Sequence, residues 1–361
     1  MSAEFPIRPG IPGASRTGPL QFLYHPRFDG RGFSRVRDSW RRYVLARELL
    51  ERLNYLDGAI ALVRPEPATD DEILLVHDPD YLAFVKAKDA DGTGFLDYGD
   101  TPAYSGVLER ARIAVGATVQ GARSIASGAA RQAFNPGGGL HHAMRAKAGG
   151  FCVFNDVVIA VRVLRREFGI ERVAIVDLDG HHGDGTQELL WEEPILYASI
   201  HRHGRRFYPG TGAETEVGAG RGLGYTVNVA LDRGANNKTY LRALDDVILP
   251  YVSGYRPELI ITQIGVDTHH GDPLVRFDLT AGIYREIALR LSALADEHCD
   301  GRLLAVAGGG YVPEAVARCW AIFLGTLAGP FADGRDPRLA DLLDPGESIA
   351  ETGNGRLSGS L

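Results

Sequence analysis

Acidic and histidine residues are crowded between positions 177 and 185 of this 361-residue chain, in the run D-L-D-G-H-H-G-D-G. The run directly follows R-V-A-I-V, a β-branched segment that is typical of a buried strand. Asp179 and His181 are two residues apart, so in an extended segment their side chains point the same way. Charged groups crowded at a strand end are stable when they are paired or bind a cation. The run predicts a divalent metal site, to which zinc is suited, in preference to a solvated acidic loop.

A second acidic segment, G-V-D-T-H-H-G-D-P at 265–273, offers a third metal ligand. Asp267 follows an apolar strand candidate and completes a set of two aspartates and one histidine. Three protein ligands with an open position are typical of catalytic zinc, whereas structural zinc sites are closed. His269, His270 and Asp272 also resemble metal ligands, but we expect them at the loop surface or the rim.

Two adjacent histidines, His141 and His142, end the glycine-rich segment G-G-G-L-H-H. Histidine is the natural general acid or base near neutral pH. A histidine in that role needs a partner that fixes its tautomer, and Asp177 and Asp184 are candidates. The alternative is a glycine-rich turn with incidental histidines.

Two further patterns supply candidate groups for substrate binding. The segment G-G-G-Y at 308–311 would let the Tyr311 hydroxyl reach an oxyanion, although a packed loop tyrosine is an equal alternative. The aromatic residues Phe151, Phe207 and Tyr208 stand beside turn residues. They would form the walls of a narrow apolar slot or simply belong to the core.

The elements that position these groups alternate along the chain. We predict strands at 131–135, 172–177, 195–200, 259–265 and 303–307. We predict helices at 39–53, 106–127, 157–168, 238–252, 283–298 and 316–327. Such alternation indicates an α/β domain with parallel β-α-β units. Four of the five strands run into the polar or glycine-rich segments, and ligands bind beyond the carboxyl ends of parallel strands. The segments are therefore expected to converge.

Composition limits the function classes. The chain is 45% hydrophobic and has a net charge of −7, so it lacks the basic footprint of a nucleic-acid binder. It has no apolar stretch that would span a membrane and no apolar signal core at its start. Its three cysteines do not form a disulfide framework, so we expect a cytoplasmic protein. We expect one catalytic domain at 20–345, between a flexible arm at 1–19 and a flexible tail at 346–361.

In this order and spacing the motifs resemble the zinc-dependent histone deacetylase family, most nearly its bacterial acetoin-utilisation branch. The motifs that carry the resemblance are N-P-G-G-G-L-H-H-A, G-F-C-V-F-N-D, D-L-D-G-H-H-G-D-G-T, S-I-H, F-Y-P-G-T-G, G-V-D-T-H-H-G-D-P-L and G-G-G-Y. The resemblance spans most of the chain, from residue 22 to residue 329. It implies a single-domain arginase/deacetylase fold, with a central, mostly parallel sheet of about eight strands flanked by helices.

The resemblance also implies roles. Asp179, His181 and Asp267 would hold Zn²⁺, with Fe²⁺ as an alternative, and a water on the metal would become the nucleophile. His142 would be the main general base and His141 its electrostatic partner, while Tyr311 would polarise the substrate carbonyl. The substrate-binding residues would be Asp100, Gly150, Phe151, Tyr208, Leu274 and Arg42. Structural K⁺ or Na⁺ would bind the side chains of Asp177 and Ser199 and the carbonyls of Asp179, His181 and Ile200.

Departures from the family pattern concern the substrate. Val36-Arg37 replaces the usual His-Pro of the entrance loop, Tyr208 stands where many relatives have phenylalanine, and Arg276 lies in the rim segment. The implied function is hydrolysis of N-acetyl-lysine in a protein. The alternatives are an acetylpolyamine or other small-molecule amidohydrolase, a ureohydrolase, and a non-catalytic binding module. Leu274 lies where an acidic residue would favour polyamines. Homo-oligomeric assembly stays open.

Overall fold

Eight parallel strands form one sheet in this computed structural model, which describes residues 18–30, 38–56, 58–204 and 206–349. The strands are β1 (Leu20–Leu23), β2 (Ile60–Val63), β3 (Gln132–Asn135), β4 (Val173–Asp177), β5 (Leu196–Arg202), β6 (Thr226–Leu231), β7 (Leu259–Gln263) and β8 (Leu303–Val306). Their order across the sheet is β2-β1-β3-β8-β7-β4-β5-β6, and all seven adjacent pairs are parallel. The predicted α/β architecture is confirmed.

The order of the four central strands explains why distant segments meet. Strands β3, β8, β7 and β4 are consecutive in the sheet and fully buried. Each of them is followed by one of the four polar or glycine-rich segments. Because parallel strands share their carboxyl edge, these four segments lie side by side at that edge.

Ten α-helices accompany the sheet in the described part of the chain. They are α1 (Arg41–Arg52), α2 (Asp70–Ile73), α3 (Pro79–Asp91), α4 (Val107–Ala126), α5 (Asp156–Phe168), α6 (Asp184–Leu190), α7 (Asn237–Ala243), α8 (Leu249–Tyr255), α9 (Ile283–Cys299) and α10 (Pro313–Leu327). A π-helical turn at Leu244–Ile248 joins α7 to α8, so the helix predicted at 238–252 is present in three parts. Helix α10 begins at Pro313, three residues before its predicted start, because proline is preorganised for a first helical turn.

Six elements were absent from the sequence prediction: β1, β2, β6, α2, α3 and α6. Strands β1 and β2 have only four residues each, too few for a clear periodicity. Strand β6 lies at the sheet edge and is only partly buried. Helix α3 had a recognisable start, since Asp78 stands before Pro79 at the first helical position.

Two hydrophobic clusters, one on each face, hold the layers together. Helices α4 and α5 pack on one face, whereas α1, α9 and α10 pack on the other. Helix α4 approaches the sheet closely at Gly121, where a Cβ atom would lie 2.8 Å from the Leu304 side chain. The central strands, whose carboxyl ends carry the four polar or glycine-rich segments, are therefore supported by helices on both faces.

Some predictions fall on segments outside the described residues. These segments contain residues 1–17 of the predicted arm, residues 350–361 of the predicted tail and the divergent pair Val36-Arg37. Packed structure extends past the predicted domain end at 345, because Glu347 accepts a hydrogen bond from the backbone N–H of Gly282 at 3.0 Å. Among the described residues, no helix combines the length and the apolar character needed to cross a membrane.

Candidate active site and metal centre

Asp179, His181 and Asp267 converge beyond the ends of β4 and β7. Nδ1 of His181 lies 2.8 Å from Oδ2 of Asp267 and 3.4 Å from Oδ1 of Asp179. All three residues are buried, and one ligand atom from each lies within 4.8 Å of the others. Backbone N–H groups orient the carboxylates, since Gly180 donates to Asp267 at 2.9 Å and Gly309 donates to Asp179 at 2.6 Å.

The charges in this cluster fit a divalent cation. Burial lowers the pKa of His181, but the carboxylates of Asp179 and Asp267 outweigh burial and raise it to about 10. Burial and the charge of Asp179 raise the pKa of Asp267 to about 6. The two buried carboxylates thus favour a positive charge at this position. Two carboxylates and one imidazole nitrogen form a donor set that suits zinc or a similar ion in its place.

The tandem histidines face the same space, and each has its own carboxylate. Nδ1 of His141 lies 2.9 Å from Oδ2 of Asp177, and Nδ1 of His142 lies 2.7 Å from Oδ1 of Asp184. The two Nε2 atoms are 3.1 Å apart. Since each carboxylate accepts the Nδ1 proton of its partner, both Nε2 atoms are turned toward the reaction space.

The two histidines differ in their electrostatic surroundings. Burial lowers the pKa of His141, but the carboxylates of Asp177 and Asp179 outweigh burial and raise it to about 9. Burial and the adjacent charge of His141 lower the pKa of His142 to about 4 despite Asp184. At neutral pH one imidazole is cationic and the other is neutral, which fits an electrostatic partner and a general base.

The loop that carries the tandem histidines is held by two residues absent from the sequence prediction. Asp156 accepts the backbone N–H of Leu140 at 2.8 Å, and Asn155 donates its side-chain N–H to the carbonyl of Ala143 at 3.1 Å. Asn155 is also the N-cap of α5. The N-D pair before a predicted helix was the signal that could have identified them.

The glycine loop that precedes Tyr311 is fixed by charged side chains. Nη1 of Arg42 donates to the carbonyls of Gly308 and Gly310 at 3.0 and 2.9 Å. A Cβ atom on Gly309 would lie 2.2 Å from Oδ2 of Asp267, so this position requires glycine. The loop therefore presents Tyr311 beside the metal ligands.

One cavity collects most of these groups. Its lining includes Asp179, His181, His141, His142, Gly150, Phe151 and Tyr311. The same cavity is also lined by Trp40, Arg42, Tyr43 and the glycines of both loops. Asp267 is absent from the lining, which agrees with its complete burial.

Some predicted substrate residues lie outside this cavity. Tyr208 and Asp100 line an adjoining outer cavity that also reaches His142 and Asp184. The Tyr208 ring packs edge-on against His142, with ring centroids 4.9 Å apart, and the side chain is 42% exposed. Leu274 lines neither cavity and is 37% exposed, consistent with a position at the rim.

The outer loop that carries Asp100 is built around Asp97. Oδ1 of Asp97 accepts the backbone N–H groups of Gly99, Asp100 and Thr101 at 2.9 to 3.0 Å. Burial and Asp97 raise the pKa of Asp100 to about 6. Thr101 links this loop to the wall of the cavity, because its hydroxyl accepts the backbone N–H of Phe151 at 3.1 Å.

Known proteins show the same combination of motifs and fold. A model described as "Histone deacetylase domain" matches residues 37–327. The chain belongs to the histone deacetylase family. It is similar to the acetoin utilization protein AcuC of Bacillus subtilis strain 168, with 37% identity over 314 residues that cover 83% of this chain and 80% of the relative.

Two further similarities extend this finding. A probable deacetylase of Archaeoglobus fulgidus is 39% identical over 259 residues, covering 71% of this chain and 70% of the relative. The crystal structure of the HDA15 HD domain matches with a TM-score of 0.80 and 30% identity, covering 87% of this chain and 91% of that one. This deacetylase-family chain is therefore a hydrolase, and its family implies a metal-dependent enzyme with an acetylated substrate.

The predicted monovalent-cation residues of this deacetylase lie close to the tandem histidines. Asp177 and Ser199 are paired across β4 and β5. Asp177 already accepts hydrogen bonds from the backbone N–H of Asp179 at 3.2 Å and from the Tyr197 hydroxyl at 3.0 Å. Ile200 follows Ser199 in β5 and is buried. The ion itself stays a prediction.

His269 and His270 do not reach the cavity. Nδ1 of His269 accepts the N–H of Gly271 at 3.1 Å, so its Nε2 carries a proton that it donates to Asp344 at 2.9 Å. Asp344 also accepts from Arg318 at 2.8 Å. Although His269, His270 and Asp344 are close enough to bind a metal, these hydrogen bonds favour a structural clasp.

Proposed function

We propose that this enzyme hydrolyses the amide bond of N-acetyl-lysine in a protein substrate. The observation that carries the proposal is that the tandem histidines, two of the metal ligands and Tyr311 line one cavity. A general base, a cation site and an oxyanion donor are three groups that together promote amide hydrolysis by water.

The metal ligands would be Asp179, His181 and Asp267, with Zn²⁺ as the proposed ion and Fe²⁺ as the alternative. Bound there, such an ion would polarise the substrate carbonyl and lower the pKa of a water. His142 is neutral at pH 7 and accepts the proton of the attacking water, then transfers it to the leaving amine. His141 is cationic and stabilises the negative charge that develops. Tyr311 donates its hydroxyl proton in a hydrogen bond to the oxyanion.

The proposed substrate contacts follow the cavity outward. Arg42 lines the cavity and would contact the acetyl product as it leaves. Gly150 and Phe151 line the channel, and Tyr208 forms the wall beside His142. Asp100 would accept N–H groups of the substrate backbone at the mouth, and Leu274 would cover the rim. Three free buried cysteines fit a reducing compartment, so we place this activity in the cytoplasm.

A small acetylated polyamine is the second candidate substrate. The paired carboxylates of Asp97 and Asp100 at the mouth would attract its cationic amines. Leu274 opposes this alternative, because an apolar rim residue offers no partner to an ammonium group. The protein substrate is therefore preferred.

A matched substrate panel tests the proposal. Metal-loaded enzyme is assayed on acetyl-lysine peptides and on acetylpolyamines of equal concentration, with Asp267→Ala as the blank. We expect kcat/KM to be higher on the peptides by at least about tenfold, a difference of about 1.4 kcal/mol in transition-state binding. Higher kcat/KM on acetylpolyamines would transfer the assignment to the second candidate, and no turnover of either class would overturn the proposal.

A further inference from the structure

Asp272 is a buried acid that none of the roles above uses. The residue is 4% exposed, and its two carboxyl oxygens accept hydrogen bonds from different segments. Oδ2 accepts the backbone N–H of Tyr311 at 2.9 Å, and Oδ1 accepts the backbone N–H of Leu274 at 2.8 Å. Among the residues that the structure describes, no lysine or arginine forms an ion pair with Asp272. The carboxylate thus joins the loop of the oxyanion donor to the rim.

The turn that carries Asp272 is itself well anchored. The backbone N–H of Asp272 donates to the carbonyl of His269 at 2.8 Å, and the side chain of His269 donates to Asp344. The N–H of His270 donates to the carbonyl of Leu279 at 2.8 Å. The metal ligand Asp267 begins the same turn. Asp272 therefore stands on a fixed support rather than on a free loop.

Tyr311, by contrast, follows three glycines, whose backbone conformation is not restricted by a side chain of their own. Gly308 and Gly310 have φ values of 112° and 127°, which side-chain-bearing residues rarely adopt. Arg42 restrains the carbonyls of these glycines, but it does not contact the backbone of Tyr311 through any hydrogen bond of the described structure. The hydrogen bond that fixes the Tyr311 N–H itself comes from Asp272.

We propose that Asp272 is a positioning residue that holds Tyr311 in place to donate to the oxyanion, an inference that rests on the proposed function. The carboxyl group of Asp272 has two oxygens, and each accepts one backbone N–H, so it restrains Tyr311 and Leu274 together. Asparagine has one acceptor oxygen, and its NH₂ group would face one of the two N–H donors. Displacement of a reacting group by about 1 Å typically costs about 10²-fold in rate.

Asp272→Asn tests this role, with Asp278→Asn as the matched control. Asp278 is an exposed aspartate in the same segment, outside the cavities that hold the substrate. Asp272→Asn should lower kcat by about 10- to 100-fold while KM changes by less than about threefold, and metal content should match wild type. The control should keep wild-type kcat. An Asp272→Asn enzyme within twofold of wild type, or one that loses its metal, would overturn the proposal.

A double-mutant cycle separates positioning from a general structural role. If Asp272 acts through Tyr311, adding Asp272→Asn to Tyr311→Phe should change kcat by less than about threefold, because the group that it positions is already gone. An equal loss in both backgrounds would show that Asp272 acts elsewhere.

Hydrogen exchange supplies a readout that needs no substrate. Amide exchange in the 308–312 segment should be faster in Asp272→Asn than in Asp278→Asn. If Asp272→Asn folds weakly, the same exchange is measured on Asp272→Ser at lower temperature. Unchanged exchange in a folded Asp272 variant would overturn the proposal. Wild-type enzyme without activity on acetyl-lysine would instead overturn the proposed function and leave this exchange test intact.

Discussion

Two of the three His-His pairs in this chain, His141-His142 and His269-His270, have different environments. His141 and His142 lie beyond β3, each beside its own carboxylate, and face the reaction cavity. His269 and His270 follow β7, where His269 is held by Asp344 and the His270 side chain is 46% exposed. The dipeptide is identical, and both pairs lie close to aspartates that could bind a metal. The difference teaches that the direction of the loop and the partners of each ring decide whether a histidine acts on a substrate or supports the fold.

The largest expected effect is loss of the metal from the site beside His141 and His142. Asp267→Ala should reduce bound divalent metal from about one per chain to near zero and abolish turnover, because three protein ligands become two. Asp344→Ala, which removes the acid of the second pair, should retain the metal. Elemental analysis of both variants measures this. Metal kept in full by Asp267→Ala would remove the distinction between the two clusters.

His142→Ala should give the next largest effect. Loss of a general base usually costs about 10²–10⁴-fold in rate. His141→Ala should cost less, because its cation supports the reaction without carrying the proton. Both variants should keep their metal. Steady-state kinetics on an acetyl-lysine peptide provides the comparison, and near-normal turnover of His142→Ala would contradict the assignment.

Tyr311→Phe should lower kcat by about 10²–10³-fold, the usual loss for one oxyanion donor. Phenylalanine retains the ring and removes only the hydroxyl. Peptide affinity should change far less, because the ground-state carbonyl is a weaker acceptor than the oxyanion. A kcat within about threefold of wild type would return Tyr311 to the status of a packed loop residue.

The pH dependence of binding should reveal the mouth acid rather than the tandem histidines. The pKa of His142 is about 4, so this base stays neutral well below pH 6. The pKa of Asp100 is raised to about 6 by burial and by Asp97, so its acceptor carboxylate is present above that pH and is lost as pH falls through it. KM for peptides should therefore rise below about pH 6. Asp100→Asn should remove this dependence, and an unchanged pH profile in that variant would contradict the role.

The smallest expected effect concerns the second histidine pair and is one of stability. His269→Ala removes a buried hydrogen bond to Asp344 and should lower the free energy of unfolding by about 1–3 kcal/mol. His270→Ala should change it by less than about 0.5 kcal/mol, because its side chain is half-exposed. Urea denaturation at neutral pH measures both. Equal losses from the two variants would show that the clasp does not depend on His269.

Local sequence patterns predicted much of the fold and of the candidate site. Strands such as β4 and β7 have continuous apolar runs, and the acids that follow them stand at fixed offsets from the strand ends. Parallel pairing then required the segments after β3, β4, β7 and β8 to share one edge. The short strands β1 and β2 escaped prediction because four residues carry too little periodicity.

The sequence by itself determined which chemistry was available: two carboxylates and an imidazole for a cation, two adjacent histidines, and a tyrosine after three glycines. Only the tertiary structure decided how these groups are held. Arg42 binds the carbonyl of Gly310 from 268 residues away, and Asp272 binds Tyr311 from 39 residues away. Such contacts depend on which strands are adjacent in the sheet and on how the loops beyond them are directed. No local pattern encodes that, so the expectation of His269 at the loop surface or the rim was wrong: the fold buries this residue against Asp344.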